Sequence, residues 1–145
     1  MNEKAPVWLT VILWILAVFS LINGIEMFFL PSTWFFKLVP GVPETGPFNA
    51  HLVADGGTFS LALGVGLVFA ALDPHRHAIA VLVAAVAGVM HSLLHLYSHA
   101  AGMLSDQHIG VEIVGIYVPT LILCALSMRL MRRARTSAPA ERRAA

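Results

Sequence analysis

Three histidines, His91, His95 and His99, stand at i, i+4 and i+8 in a strongly apolar stretch that begins near Ala78. On a helix this spacing draws one slowly drifting line along a single face. An imidazole is costly in hydrocarbon unless it faces a bundle interior, a partner or a metal. The line therefore predicts a site. Two further pairs repeat the i, i+4 spacing: His51 with Asp55, and His108 with Glu112. Each pair can aim two donors into one volume. Glu26 adds a carboxylate near the end of the first apolar segment, one turn after Asn23.

Imidazole and carboxylate donors without thiolate suit zinc, iron, manganese or copper(II). The expected metal ligands are His51, Asp55, His91 and His95, joined by His99, Glu26, His108 and Glu112. That is more than one metal needs, so a second metal or a hydrogen-bonded outer shell would take the excess. Haem b is an alternative, with two histidines from different helices such as His51 and His95 as axial ligands, held without covalent attachment. A third alternative is a cofactor-free network, or a proton or small-solute pathway, in which Ser92, Tyr97, Ser98, Asn23 and Asn49 satisfy the imidazoles. His75 and His77 lie on a short polar turn and are expected to be solvated, with Asp106 near a helix boundary.

The elements that must position these residues are apolar helices. Of 145 residues, 58% are hydrophobic and 12% charged, about half the charge of a soluble domain. The mean hydropathy is +0.79. Four stretches have the length of a membrane span, so the fold class is an all-α membrane protein, a four-helix transmembrane bundle. The expected helices cover about 7–30, 50–72, 78–100 and 110–131, in one domain over 1–135. A disordered basic and alanine-rich tail is expected at 136–145. The stretch 32–49 is punctuated by Pro40, Gly41, Pro43, Gly46 and Pro47, which forbid a long helix. Trp34, Phe35 and Phe36 suit a membrane interface. Gly56, Ser60 and Gly64 form a small-residue line that admits a neighbouring helix, and Ala80, Ala84 and Gly88 form a second. Pro119 should free the Gly115 carbonyl close to Glu112. The lone Cys124 excludes an internal disulfide or a cysteine-rich cluster and reads as an apolar filler. No basic patch interleaved with aromatics points to nucleic acid.

Arginines concentrate after Arg129, which sets the C-terminus in the cytoplasm. Four spans then place both termini and the Arg76 turn inside. The two remaining loops face outward and hold one lysine, Lys37, and no arginine. All eight candidate ligands fall in the outer half of the bundle, and every helix contributes at least one.

Four short spans, a Pro/Gly-rich first outer loop, a Gly-rich second helix and a Pro-marked inner turn resemble the DoxX-like group of small bacterial membrane proteins. The resemblance covers most of the chain and rests on architecture. It implies a multi-pass protein of the bacterial inner membrane, a subunit associated with redox systems. The histidine array is not carried over from that group.

The expected function is transition-metal binding in the outer leaflet by a small membrane enzyme, an oxidoreductase or hydrolase acting on an apolar small molecule. The alternative is a non-catalytic subunit, a homo-oligomer or member of a membrane complex, whose polar cluster holds helices together. The expected surroundings are the lipid bilayer, with no nucleic acid. A reporter fused after Arg143 should read cytoplasmic and one inserted near Glu44 should read periplasmic. A C-terminus found outside would undo the orientation and the shared depth built on it.

Overall fold

The computed structural model describes residues 5–133 with their side chains and residues 134–144 by backbone alone. The tail expected at 136–145 lies outside the fully described residues. Helix α1 is Val7–Phe29, α2 is Ala50–Leu72 and α3 is Ala78–Ala100. Helix α4 begins as Ile109–Glu112, widens into a π turn at Ile113–Tyr117 and continues as Val118–Ala144. Each of the four is long and apolar enough to cross a membrane, and no strand occurs among the described residues.

Local chemistry explains where these helices begin and end. Asn49 caps α2, its Oδ1 accepting the Leu52 N–H at 3.1 Å, as an N-cap side chain does for an orphan donor. Asp73 closes α2 and accepts the Arg76 N–H at 3.1 Å, which tightens the turn into α3. Gly102, at φ 69°, ends α3. Its N–H bonds back to His99 O and the Met103 N–H to Ser98 O, so two late carbonyls are satisfied. The first loop holds only short helical turns: Pro31–Thr33, a π turn at Trp34–Leu38 and a 3₁₀ turn at Val42–Thr45. The second loop ends in a 3₁₀ turn, Asp106–His108, that leads directly into α4.

The π turn of α4 has a cause in the sequence. Pro119 has no N–H to offer Gly115 O, and its ring crowds the preceding turn. The helix responds by widening, and the Val118 N–H reaches back to Ile113 O. Such bulges shift the register of the side chains beside them. Glu112 is the residue immediately before this one.

Helix α1 packs along α2, α3 along α4, and α2 meets α3. The α1 and α2 backbones come close because glycine lets them. A Cβ built on Gly57 would lie 2.9 Å from Gly24 O, Met27 Cβ and Phe28 N, and one on Gly64 2.8 Å from the Leu21 side chain. Between these contacts Ser20 and Ser60 exchange bonds: each hydroxyl donates to the other's carbonyl, at 2.9 and 3.0 Å. On the other side Gly88 approaches Thr120, whose hydroxyl also meets Ser92 at 3.3 Å. Ala84 of the second small-residue line is buried. The apolar core lies toward the end that carries the 73–77 turn. It includes Leu9 and Leu13 of α1, Leu67 of α2, Val81 of α3 and Leu126 and Leu130 of α4. The outward surface is apolar as well, with Phe59 72% and Leu121 69% exposed, a surface suited to lipid contact.

A methyl group at Gly57 meets backbone on the facing helix and cannot be accommodated by a rotamer change. Gly57→Ala should lower stability in detergent by about 1–3 kcal/mol. Gly110→Ala, where nothing lies within 4 Å, should leave stability unchanged or raise it slightly. Equal unfolding midpoints for the two variants would refute the close α1–α2 contact.

Candidate functional site

The chemistry gathers where α3 meets the start of α4, at the end of the bundle that carries the two longer loops. Glu112 is 8% exposed, one of few buried charged or polar residues among those described. Its two oxygens face different imidazoles. With the proton on Nε2, His99 donates to Glu112 Oε2 at 3.0 Å. His95 Nδ1 lies 3.2 Å from Glu112 Oε1. The second nitrogen of His99, Nδ1, lies 3.3 Å from Asp106 Oδ1, and Asp106 is 86% exposed. The His91 ring meets the His95 ring edge-on, with centroids 4.7 Å apart, and His91 itself is exposed. The result is a line of proton-carrying groups from an exposed carboxylate to a buried one and on to His95. Nδ1 of His95 and Nδ1 of His99 are buried without an aligned hydrogen bond. Each stands near a carboxylate, so a small rotation or a proton would complete the contact.

The helix spacing accounts for this arrangement. His95 and His99 are one turn apart on α3, so their rings present to the same stretch of α4. The π turn after Glu112 and the Gly88–Thr120 contact fix how α4 lies against that face.

The other expected ligands are not brought to this point. His51 Nε2 and Asp55 Oδ2 pair with each other at 3.4 Å on α2, with side chains 87% and 53% exposed. Glu26 is half-buried on α1, and its side chain makes no hydrogen bond or ion pair among the described residues. His108 turns away from Glu112 to Glu44. Among the described residues, no group of three or more His, Cys, Asp or Glu side chains is arranged to hold a metal ion. Of the two histidines on the 73–77 turn, His75 has a buried Nε2 without a hydrogen-bond partner, so it is not the freely solvated side chain expected of that turn. His77 stacks loosely on Phe69.

Glu44 is the carboxylate at this end of the molecule that sequence reasoning misses. It sits in the 3₁₀ turn of the first loop and binds the second loop. Its Oε2 accepts the Ser105 N–H at 3.1 Å, and its Oε1 accepts from Gln107 Nε2 at 3.3 Å and His108 Nε2 at 2.9 Å. No spacing signal links residues more than sixty positions apart. A second polar hub joins the first loop to the α1–α2 pair: Trp34 Nε1 donates to Asn23 Oδ1 at 2.9 Å, and Asn23 Nδ2 donates to Ser60 Oγ at 3.3 Å.

No family model, curated protein or solved structure matches the chain.

The Ser105 N–H, followed by His108, holds the Glu44 carboxyl below the ordinary carboxylate range. A carboxyl lowered in the folded state stabilises it above the unfolded value, and that contribution is lost as pH falls through the lowered value. The loop clamp should therefore be intact at neutral pH and open in acid below the usual carboxylate range. Hydrogen exchange at the Ser105 amide, corrected for intrinsic rate, should lose protection there. Glu44→Ala should show the same loss at neutral pH. Protection that is independent of both pH and Glu44 would contradict the clamp.

Proposed function

We propose that the chain is a multi-pass protein of the bacterial inner membrane whose working part is an embedded protonatable site. In this reading His95, Glu112 and His99 share the site, and Asp106 loads it from the aqueous edge. One observation carries the reading: Asp106, His99, Glu112 and His95 follow one another at 3.3, 3.0 and 3.2 Å.

An imidazole relays by taking a proton on one nitrogen and giving up another from the second. His99 has a carboxylate at each nitrogen and suits that step. Asp106 collects a proton from water and passes it to His99 Nδ1. The proton already on Nε2 moves to Glu112 Oε2. Rotation of the Glu112 carboxyl then carries that proton to the side facing His95 Nδ1, which accepts it. The proton stays inside because each state keeps the charge compensated: a carboxylate beside an imidazolium, or a carboxylic acid beside a neutral ring.

The line ends at the histidines. Toward the opposite end the buried residues are mainly leucine, valine and alanine, with the hydroxyls of Ser92, Thr120 and Ser127 and no titratable side chain among those described. This supports a site that exchanges protons with one side of the membrane, as a membrane subunit beside a proton-consuming or proton-releasing partner would. In this reading that side is the exterior and both termini are cytoplasmic, as the arginine distribution favours. The architectural resemblance to DoxX-like proteins supports a redox partner.

Glu112 bridges the two rings through its two oxygens. In nanodiscs, ring-nitrogen spectra of labelled histidine should therefore change at both His95 and His99 in Glu112→Gln. His77 should be unaffected. An unchanged signal at either His95 or His99 would overturn the shared site. Stoichiometric metal in the purified protein would return the site to the transition-metal chemistry suggested by the histidine spacing.

A further inference from the structure

We propose that Glu44 is a positioning residue for the embedded site: reaching over from the α1–α2 half of the molecule, it holds the second loop so that Asp106 stays against His99. The inference rests on the relay reading above and adds a residue, and a whole loop, to it.

The geometry is specific. Glu44 binds Ser105 on one side of Asp106 and Gln107 and His108 on the other. Asp106 is therefore the centre of a turn tethered at both ends to one carboxylate. Its own contact with His99, at 3.3 Å, is not an aligned hydrogen bond, and its side chain is almost fully exposed. An exposed aspartate gains little by staying near an imidazole when water can hydrate it. The tether keeps it there. The last backbone bond from this loop to α3 is Met103 N–H to Ser98 O. Beyond it, among the described residues, Glu44 supplies the hydrogen bonds that anchor the turn to another element.

The first loop is built to present Glu44. The Glu44 N–H bonds to Gly41 O at 3.0 Å, and Thr45 Oγ1 donates to Val42 O at 2.7 Å, which closes the 3₁₀ turn around it. Gly41 takes φ 87°, a conformation that favours glycine. A Cβ there would lie 3.0 Å from the His108 ring. Glycine thus serves twice, turning the chain and letting His108 close over it. Phe35 and Phe36 stack on Phe48, with centroids 5.2 Å apart in each pair, and tie the two ends of the loop together. The carboxylate is thus held on a braced turn.

The test reads the exchange of the His99 ring N–H with water, by nuclear magnetic resonance on the full chain in nanodiscs with labelled histidine. Asp106→Asn should slow exchange severalfold by removing the collecting carboxylate. Glu44→Ala should slow it by a similar factor although Glu44 does not touch His99. The double variant should be no slower than Asp106→Asn alone, because both changes remove one function. Glu44→Gln keeps an acceptor for the Ser105 N–H and should give a rate between native and Glu44→Ala. If Glu44→Ala exchanges at the native rate while Asp106→Asn is slow, the positioning role is wrong and the relay stands. Effects that multiply in the double variant also overturn it. If Asp106→Asn exchanges at the native rate, the relay fails and the role of Glu44 fails with it.

Discussion

A carboxylate buried among apolar helices must be compensated where it stands. Glu112 is that carboxylate, and much of the structure near it answers this need. Leaving a buried charge without its partner costs about 3–5 kcal/mol. A hydrogen bond between membrane helices contributes on average only about 0.6 kcal/mol. Parting Glu112 from both imidazoles of α3 would therefore cost more than breaking the single Ser92–Thr120 bond. The imidazole contacts need α3 helical through His99, so that both rings reach the same carboxylate. They also need the start of α4 in the register that the π turn before Pro119 creates.

The molecule divides its tasks between two helix pairs. Helices α1 and α2 are held by close backbone approach at Gly24, Gly57 and Gly64 and by the reciprocal serine bonds. Nothing in that contact requires a titratable group. Helices α3 and α4 carry the histidines and Glu112. The pairs share an apolar core toward the 73–77 turn. At the other end they are joined through their loops, where Glu44 from one pair binds three residues from the other. A site at that end can thus be sensitive to the position of helices that contribute no group to it. His51 and Asp55, on the rim of α2, take no part in this cluster and pair with each other instead.

The helices were legible because periodicity is not needed to read a span: length and apolarity suffice. The expected boundaries 50–72 and 78–100 coincide with α2 and α3, and the first helix ends one residue earlier than expected. Proline and glycine were equally informative. They marked the irregular first loop, the end of α3 and, through Pro119, the place where α4 departs from regular geometry. The small-residue line on α2 was legible too, since only side-chain size decides how closely two backbones approach. The residue on which the line bears, Gly24 on α1, was not, because one glycine in an apolar helix carries no address.

The candidate site was legible in its types and only partly in its membership. The sequence by itself determined that α3 presents His95 and His99 on one face, because helical spacing is a local property. It also determined that Glu112 lies at the same end of the bundle, because four spans alternate in direction. Tertiary structure alone decided that Glu112 meets both rings, that His108 leaves it for Glu44, and that His51, Asp55 and Glu26 stay apart. Depth in a bundle restricts which residues can meet, but the rotation of each helix about its axis selects among them. That rotation is set by packing summed over the whole helix, by the glycine contacts, the π turn and the loop clamp together. No short pattern encodes that sum.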